Sequence, residues 1–183
     1  MANTYMVING AQGTNAPTAA PVKQPTGTSI RTMLQLAPAS GWSMKIIEWG
    51  CSFDGSAAAT PGEVELVDTL TVFGTLTTAL AVGDIMPWGP GNAALAPANT
   101  SGSSGLPLNL STATTAFASA SGTEGSVAAS CRYLDLQMIT PTNQYVKQFP
   151  LGREPVVPGG HALRVRVTFG TSVNMYCYCI VEF

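Results

Sequence analysis

The chain has 183 residues, 45% of them hydrophobic, but only 10% are Asp, Glu, Lys or Arg, and the net charge is −2. Ordinary soluble domains carry roughly 25% charged residues, so Ala, Gly, Ser, Thr and Pro must supply most of this surface. The length fits one domain with or without a tail, the hydrophobic fraction argues against a disordered body, and the charge balance offers no grip on nucleic acid.

Taken in chain order, residues 1–27 show little amphipathic pattern after Ile8. Pro17, Pro21 and Pro25 fix φ and withhold donors, so the segment reads as an extended N-terminal arm, either a loose tail or an arm lying on a neighbouring subunit. From Ser29 the period is two. Ile30, Thr32, Leu34 and Leu36 alternate with Arg31, Met33 and Gln35, the pattern of a half-buried strand. A second strand runs from Trp42 or Ser43 to Phe53, with Lys45, Ile47, Trp49, Cys51 and Phe53 on one face and Met44, Ile46 and Glu48 on the other. It is apolar on most of both sides, which predicts a central position.

Glu63 to Thr71 alternates again, with Val64 and Leu66 inward and Leu70 as a further inward candidate. Thr75 to Val82 fits a strand or a short helix equally. Pro87 to Asn92 and residues 97–106 read as loops, and Ser111 to Gly125 has no strong period. Ser126 to Ile139 predicts a strand anchored by Val127, Tyr133 and Leu136. Gln144 to Phe149 places Tyr145, Lys147 and Phe149 on one face. After the turn at Val157-Pro158-Gly159-Gly160, Leu163 to Phe169 and Val173 to Phe183 read as a hairpin about Gly170-Thr171-Ser172. One face of the last strand carries Met175, Cys177, Cys179 and Val181. The other carries Tyr176, Tyr178 and Ile180, too aromatic for plain solvent, and this predicts contact with another sheet or another subunit. About seven to nine short strands with Gly/Pro punctuation and no convincing helix give an all-β fold. A jelly-roll-like sandwich or barrel of about eight strands fits the length, with the body at 28–183.

Catalytic chemistry has little foothold. His161, beside Gly159-Gly160, is the one histidine and reads as a solvated turn residue. No Gly-x-Ser-x-Gly elbow is present. Glu63 with Glu65, and Asp135 with Glu124, are carboxylate pairs that a solvated strand face explains. Cys177-x-Cys179 sits at strand spacing rather than in the turn-spaced pairs of structural zinc, so these thiols read as small core hydrophobes. All four cysteines (Cys51, Cys131, Cys177, Cys179) are expected to be free thiols. Trp42, Trp49 and Trp88 would form a sugar-stacking platform only if coplanar; Trp49 reads as core and Trp88, between prolines, as the exposed ring. No catalytic group, cofactor or metal is expected. The eight basic residues are dispersed, no stretch approaches the roughly 20 apolar residues of a membrane span, and Met1-Ala2-Asn3-Thr4-Tyr5-Met6 lacks a signal peptide's basic flank and apolar core. Neither nucleic acid nor membrane is an expected partner. Monomers stay apart partly through charged, patch-free surfaces, so a chain this poor in charge suits an assembly.

Three segments carry a resemblance: Glu48-Trp49-Gly50-Cys51-Ser52-Phe53-Asp54-Gly55-Ser56-Ala57-Ala58-Ala59, Gln148-Phe149-Pro150-Leu151-Gly152-Arg153-Glu154, and Leu163-Arg164-Val165-Arg166-Val167 through Tyr178-Cys179-Ile180-Val181-Glu182. Over about residues 28–183 the chain resembles small all-β virion structural proteins of tailed bacteriophages. The resemblance implies a capsid decoration or cement protein, a homo-oligomer of the trimer type, seated on the major capsid protein at the capsid exterior and assembled in the host bacterial cytoplasm. Tyr176, Tyr178, Ile180 and Trp88 are the candidate interface residues. Two alternatives stay open: a phage fibre, receptor-binding or carbohydrate-binding β domain, and a jelly-roll capsid shell subunit.

Overall fold

The structure, a computed structural model, describes residues 3–10, 23–56, 60–81, 84–89, 107–110, 115–119 and 131–183. Thirteen strands lie among them: β1 (Thr4–Ile8), β2 (Gln24–Pro25), β3 (Arg31–Leu36), β4 (Ser43–Phe53), β5 (Gly62–Asp68), β6 (Leu76–Ala79), β7 (Ile85–Pro87), β8 (Ala116–Ser119), β9 (Arg132–Ile139), β10 (Gln144–Gln148), β11 (Val156–Pro158), β12 (Leu163–Thr168) and β13 (Asn174–Glu182). The fold is all-β and sandwich-like. One antiparallel sheet runs β10-β4-β13-β1-β7, with β11 also on β4 and β2 also on β13; the other runs β6-β8-β3-β12-β5-β9. The strand number exceeds the expected eight because short edge pieces such as β2, β7 and β11 join the ladders. The ambiguous segment after Thr75 is a strand, β6.

The core lies between the two sheets. Leu34, Leu36, Val64, Leu66, Leu163, Val165 and Val167 enter it from one side, and Val7, Met44, Ile46, Trp49, Cys51, Met175, Cys177, Cys179 and Val181 from the other. Burial of such side chains contributes about 1.5–3 kcal/mol each, so this layer is the main source of stability. The three sheet-face cysteines are free thiols packed as hydrophobes, and burial pushes those of Cys51 and Cys179 up to about 12.

Several sequence expectations change here. β12 and β13 are not a hairpin: β12 pairs with β3 and β5, whereas β13 pairs with β4, β1 and β2. The Gly170–Ser172 turn carries the chain from one sheet to the other. Each strand turns its apolar face to the shared core, a pattern that sequence alternation cannot distinguish from pairing within one sheet.

In β4 the two expected faces are rephased by a bulge. Ile180 pairs with Glu48 but Val181 pairs with Ile46, leaving Ile47 as the extra residue. A bulge sets two residues against one, and so Met44, Ile46, Trp49 and Cys51 all face the core while Lys45 and Glu48 face out. β3 is buried on both faces rather than one, from Thr32 to Leu36, and Ile30 lies outside it and is exposed. Gln35 is buried because the segment after β5 lies over it, with the Gly74 N–H donating to Gln35 Oε1 at 2.8 Å.

The arm boundary at residue 27 also changes. Thr4–Ile8 is an inner strand between β13 and β7, with Tyr5 and Val7 in the core. Asn9 continues this ladder: its N–H donates to the Cys177 carbonyl at 3.0 Å and its side-chain oxygen accepts the Cys177 N–H at 2.8 Å. Thr26 ties down the far end, donating its N–H to the Val173 carbonyl and accepting the Val173 N–H at Oγ1. Residues 11–22 of the expected arm, the 97–106 loop, Glu124 and Val127 lie outside the described residues.

Candidate assembly interface

The outward face of the β4–β13–β1 sheet is built by register. Tyr178 stands between Ile8 and Gly50, and Gly50 is followed by Val146 of β10. One row further, Met86, Met6, Ile180 and Glu48 stand side by side. Tyr176 lies opposite Ser52. Because side chains alternate across a strand, Tyr176, Tyr178 and Ile180 share this face while Cys177 and Cys179 fill the core behind it.

Tyr178 is held in place. Its ring occupies the space that a Cβ on Gly50 would need, with the ring edge 2.6 Å from that position. Glycine is what lets the ring lie flat on the sheet. The hydroxyl donates to Glu48 Oε1 at 2.6 Å; burial, and then the Glu48 carboxylate, hold the phenol well above its ordinary range. Ile180 is only 3% exposed, so it is a packed floor residue, and the two tyrosines are half-buried. Trp88 is 57% exposed and donates its N–H to the Thr4 carbonyl at 2.9 Å, at the β7 end of the same sheet. In the row that continues from Thr4, Glu182 and Lys45 form an ion pair at 3.1 Å. The structure thus places all four sequence-predicted residues on one sheet. It presents Tyr176, Tyr178 and Trp88 at least partly to solvent, whereas Ile180 is buried.

The other candidates fall elsewhere. Trp49 is in the core and cannot join a stacking platform, and the exposed Trp42 packs edge-on against Phe183 at 6.4 Å. His161 is not a freely solvated turn residue: its Nδ1 lies 3.2 Å from Oδ1 of the buried Asp68. Asp68 also receives the Leu70 N–H and the Arg132 guanidinium. This carboxylate organises the turn in which Leu70 adopts φ 56°, an uncommon conformation for a branched side chain. Glu65 is not on a solvated face either; it is buried against Arg166, whose Nε donates to Oε2 at 2.7 Å. A glycosidase pair needs two carboxyls facing one substrate, and Glu65 is committed to its arginine.

Asp135 gathers five partners. Buried on β9, it accepts from Trp49 Nε1 at 3.1 Å, Tyr145 OH at 2.8 Å, Gln137 Nε2 at 3.0 Å and the Leu136 N–H at 3.0 Å, and pairs with Lys147 Nζ at 3.1 Å. Trp49, Tyr145 and Lys147 belong to the opposite sheet, so this carboxylate closes the edge of the sandwich. Burial would raise its pKa, but the bonds from Gln137, Tyr145 and Lys147, with the Lys147 charge, bring it below the usual value. Burial first, and then Asp135, push the Tyr145 phenol up to about 12.

Compared with protein-family models, with curated proteins and with solved structures, the chain gives no match. Among the described residues no helix is long and apolar enough to cross a membrane, and no group of three or more His, Cys, Asp or Glu is placed to hold a metal ion.

Two surface features escaped the sequence reading. Tyr133 and Leu136, expected as inward anchors of β9, are about half exposed, and Met138 beside them is 68% exposed. A bulge at Leu134, where Leu66 pairs with Asp135 but Val67 pairs with Tyr133, moves the apolar side chains outward and Asp135 inward. Leu151, within the Pro150–Arg153 turn, is 97% exposed. An exposed leucine at a proline-glycine turn was the available signal for it.

Proposed function

We propose that this chain is a structural virion protein of the capsid decoration or cement type, which associates with copies of itself and with the major capsid protein on the exterior of a phage head. The observation that carries the reading is the outward face of the β4–β13–β1 sheet. It brings Met6, Ile8, Tyr176, Tyr178 and Val146 together on neighbouring strands, with Lys45 paired to Glu182 and Glu48 accepting the Tyr178 hydroxyl. Contiguous apolar surface marks association sites, and tyrosine supplies large contact area at low conformational cost. The scarcity of charge and the resemblance of the sequence to tailed-phage virion proteins point the same way. Seating many copies on a repeating shell adds avidity, so individual contacts need not be strong.

Tyr178→Asp is expected to weaken self-association by about 30-fold or more, the scale of an aromatic interface anchor, measured by sedimentation velocity. Because Tyr178 also covers Gly50 and bonds Glu48, Tyr176→Asp is measured beside it, with thermal melting to establish that each variant is folded. Folded variants of both residues that associate like the parent chain would contradict this interface.

A further inference from the structure

The Pro150–Arg153 turn is a preformed projection. The Arg153 N–H donates to the Pro150 carbonyl at 2.9 Å and Gly152 has φ 79°, the geometry of a type II turn. Both flanks are bonded to β4: the Phe149 N–H donates to the Ile47 carbonyl at 2.9 Å, and the Ile46 N–H to the Pro155 carbonyl at 3.0 Å. The turn therefore loses little freedom on binding. At its tip Leu151 is 97% exposed, the highest value among the exposed large apolar side chains, and Arg153 next to it is exposed too.

Beside the turn, on the outward face of the same sheet, lies a cleft of about 500 Å³. The turn's own Pro150 and Leu151 form one wall of it with Ile47 and Phe149, and Lys45, Glu154 and Glu182 supply charge. Lys45 is paired with Glu182 at 3.1 Å, which leaves one carboxylate charge in excess. An apolar side chain flanked by a cation thus stands next to an apolar-lined cleft with an anionic surplus. Within one chain Leu151 borders the cleft without filling it, since it stays 97% exposed. We infer that the occupant of this cleft is the Leu151–Arg153 tip of a second copy of the chain. Leu151 fills the space over Ile47 and Phe149, and Arg153 answers the Glu154 carboxylate. This deepens the assembly reading and rests on it, naming the contact by which one copy holds the next.

The test is sedimentation velocity of the full chain over a concentration series, comparing the parent protein with Leu151→Asp, Leu151→Met, Arg153→Glu and the interface variant Tyr176→Asp. Leu151→Asp is expected to weaken self-association by at least about tenfold, since burying a leucine is worth that factor or more. Arg153→Glu should weaken it too, with the loss shrinking as salt rises, while Leu151→Met stays close to the parent. The turn is exposed, so the three turn variants are expected to melt near the parent temperature, and a melt of Tyr176→Asp establishes that it too is folded. If the parent associates and Tyr176→Asp dissociates it while Leu151→Asp does not, the tip contact is overturned and the assembly reading stands. A parent chain that stays monomeric throughout the series also overturns the tip contact, and binding to phage heads then decides the broader reading separately.

Discussion

Asp135→Ala is expected to destabilise the fold by about 3–5 kcal/mol and to lower the melting temperature by roughly 10 °C. The substitution leaves the Trp49 indole N–H and the Tyr145 hydroxyl without their acceptor and the Lys147 ammonium without its counter-charge. Each buried donor left unmade costs about 1–3 kcal/mol. The effect extends to pH. Asp135 titrates lower in the folded chain than the value of about 3.9 for an unfolded aspartate. Its contribution is therefore complete above that value and is lost as pH falls through the lower folded one. Thermal melts should show the parent losing stability steeply below about pH 4, with Asp135→Ala both weaker at neutral pH and flatter across the acid range. Equal melting temperatures at pH 7 would show that the network contributes nothing.

Removal of residues 3–9 is expected to abolish cooperative folding. It takes Tyr5 and Val7 from the core, removes the Asn9 bonds to Cys177, and strips β1 from between β13 and β7. Two buried side chains at about 1.5–3 kcal/mol each, with the ladder bonds, compare with a total stability of about 5–15 kcal/mol. The freed β13 edge also becomes a template for aggregation. Circular dichroism and a melt of the shortened chain check this. A soluble product melting within a few degrees of the parent would mean that the N-terminal segment is an appendage after all.

The contrast between these two sites shows what was legible in the residues. Alternation in Leu163–Thr168 and Asn174–Glu182 was sufficient to identify strands and to separate the Cys177/Cys179 face from the Tyr176/Tyr178 face. Partnership was not legible, because a turn between sheets and a turn within a sheet draw on the same Gly-Thr-Ser chemistry. Bulges were not legible either. The extra residues at Ile47 and Leu134 break the period of two, which hid the common inward face of Met44, Ile46 and Trp49 and reversed the sides of Asp135 and Leu136. Thr4–Ile8 is a five-residue strand followed by proline-rich chain, and its composition resembled an arm more than an inner strand. The outward placement of Tyr176 and Tyr178 was legible because they alternate with the buried thiols of Cys177 and Cys179 along one strand. The Leu151 tip was missed because turn residues were read as punctuation and not as contacts.

The proposal that this charge-poor sandwich belongs on a capsid is tested most directly by adding the purified chain to phage heads that lack it and imaging them by electron microscopy. Density at regular positions on the shell, diminished for Tyr178→Asp, is the expected result. Bare heads at saturating protein, from a chain that remains folded and monomeric, would contradict the account.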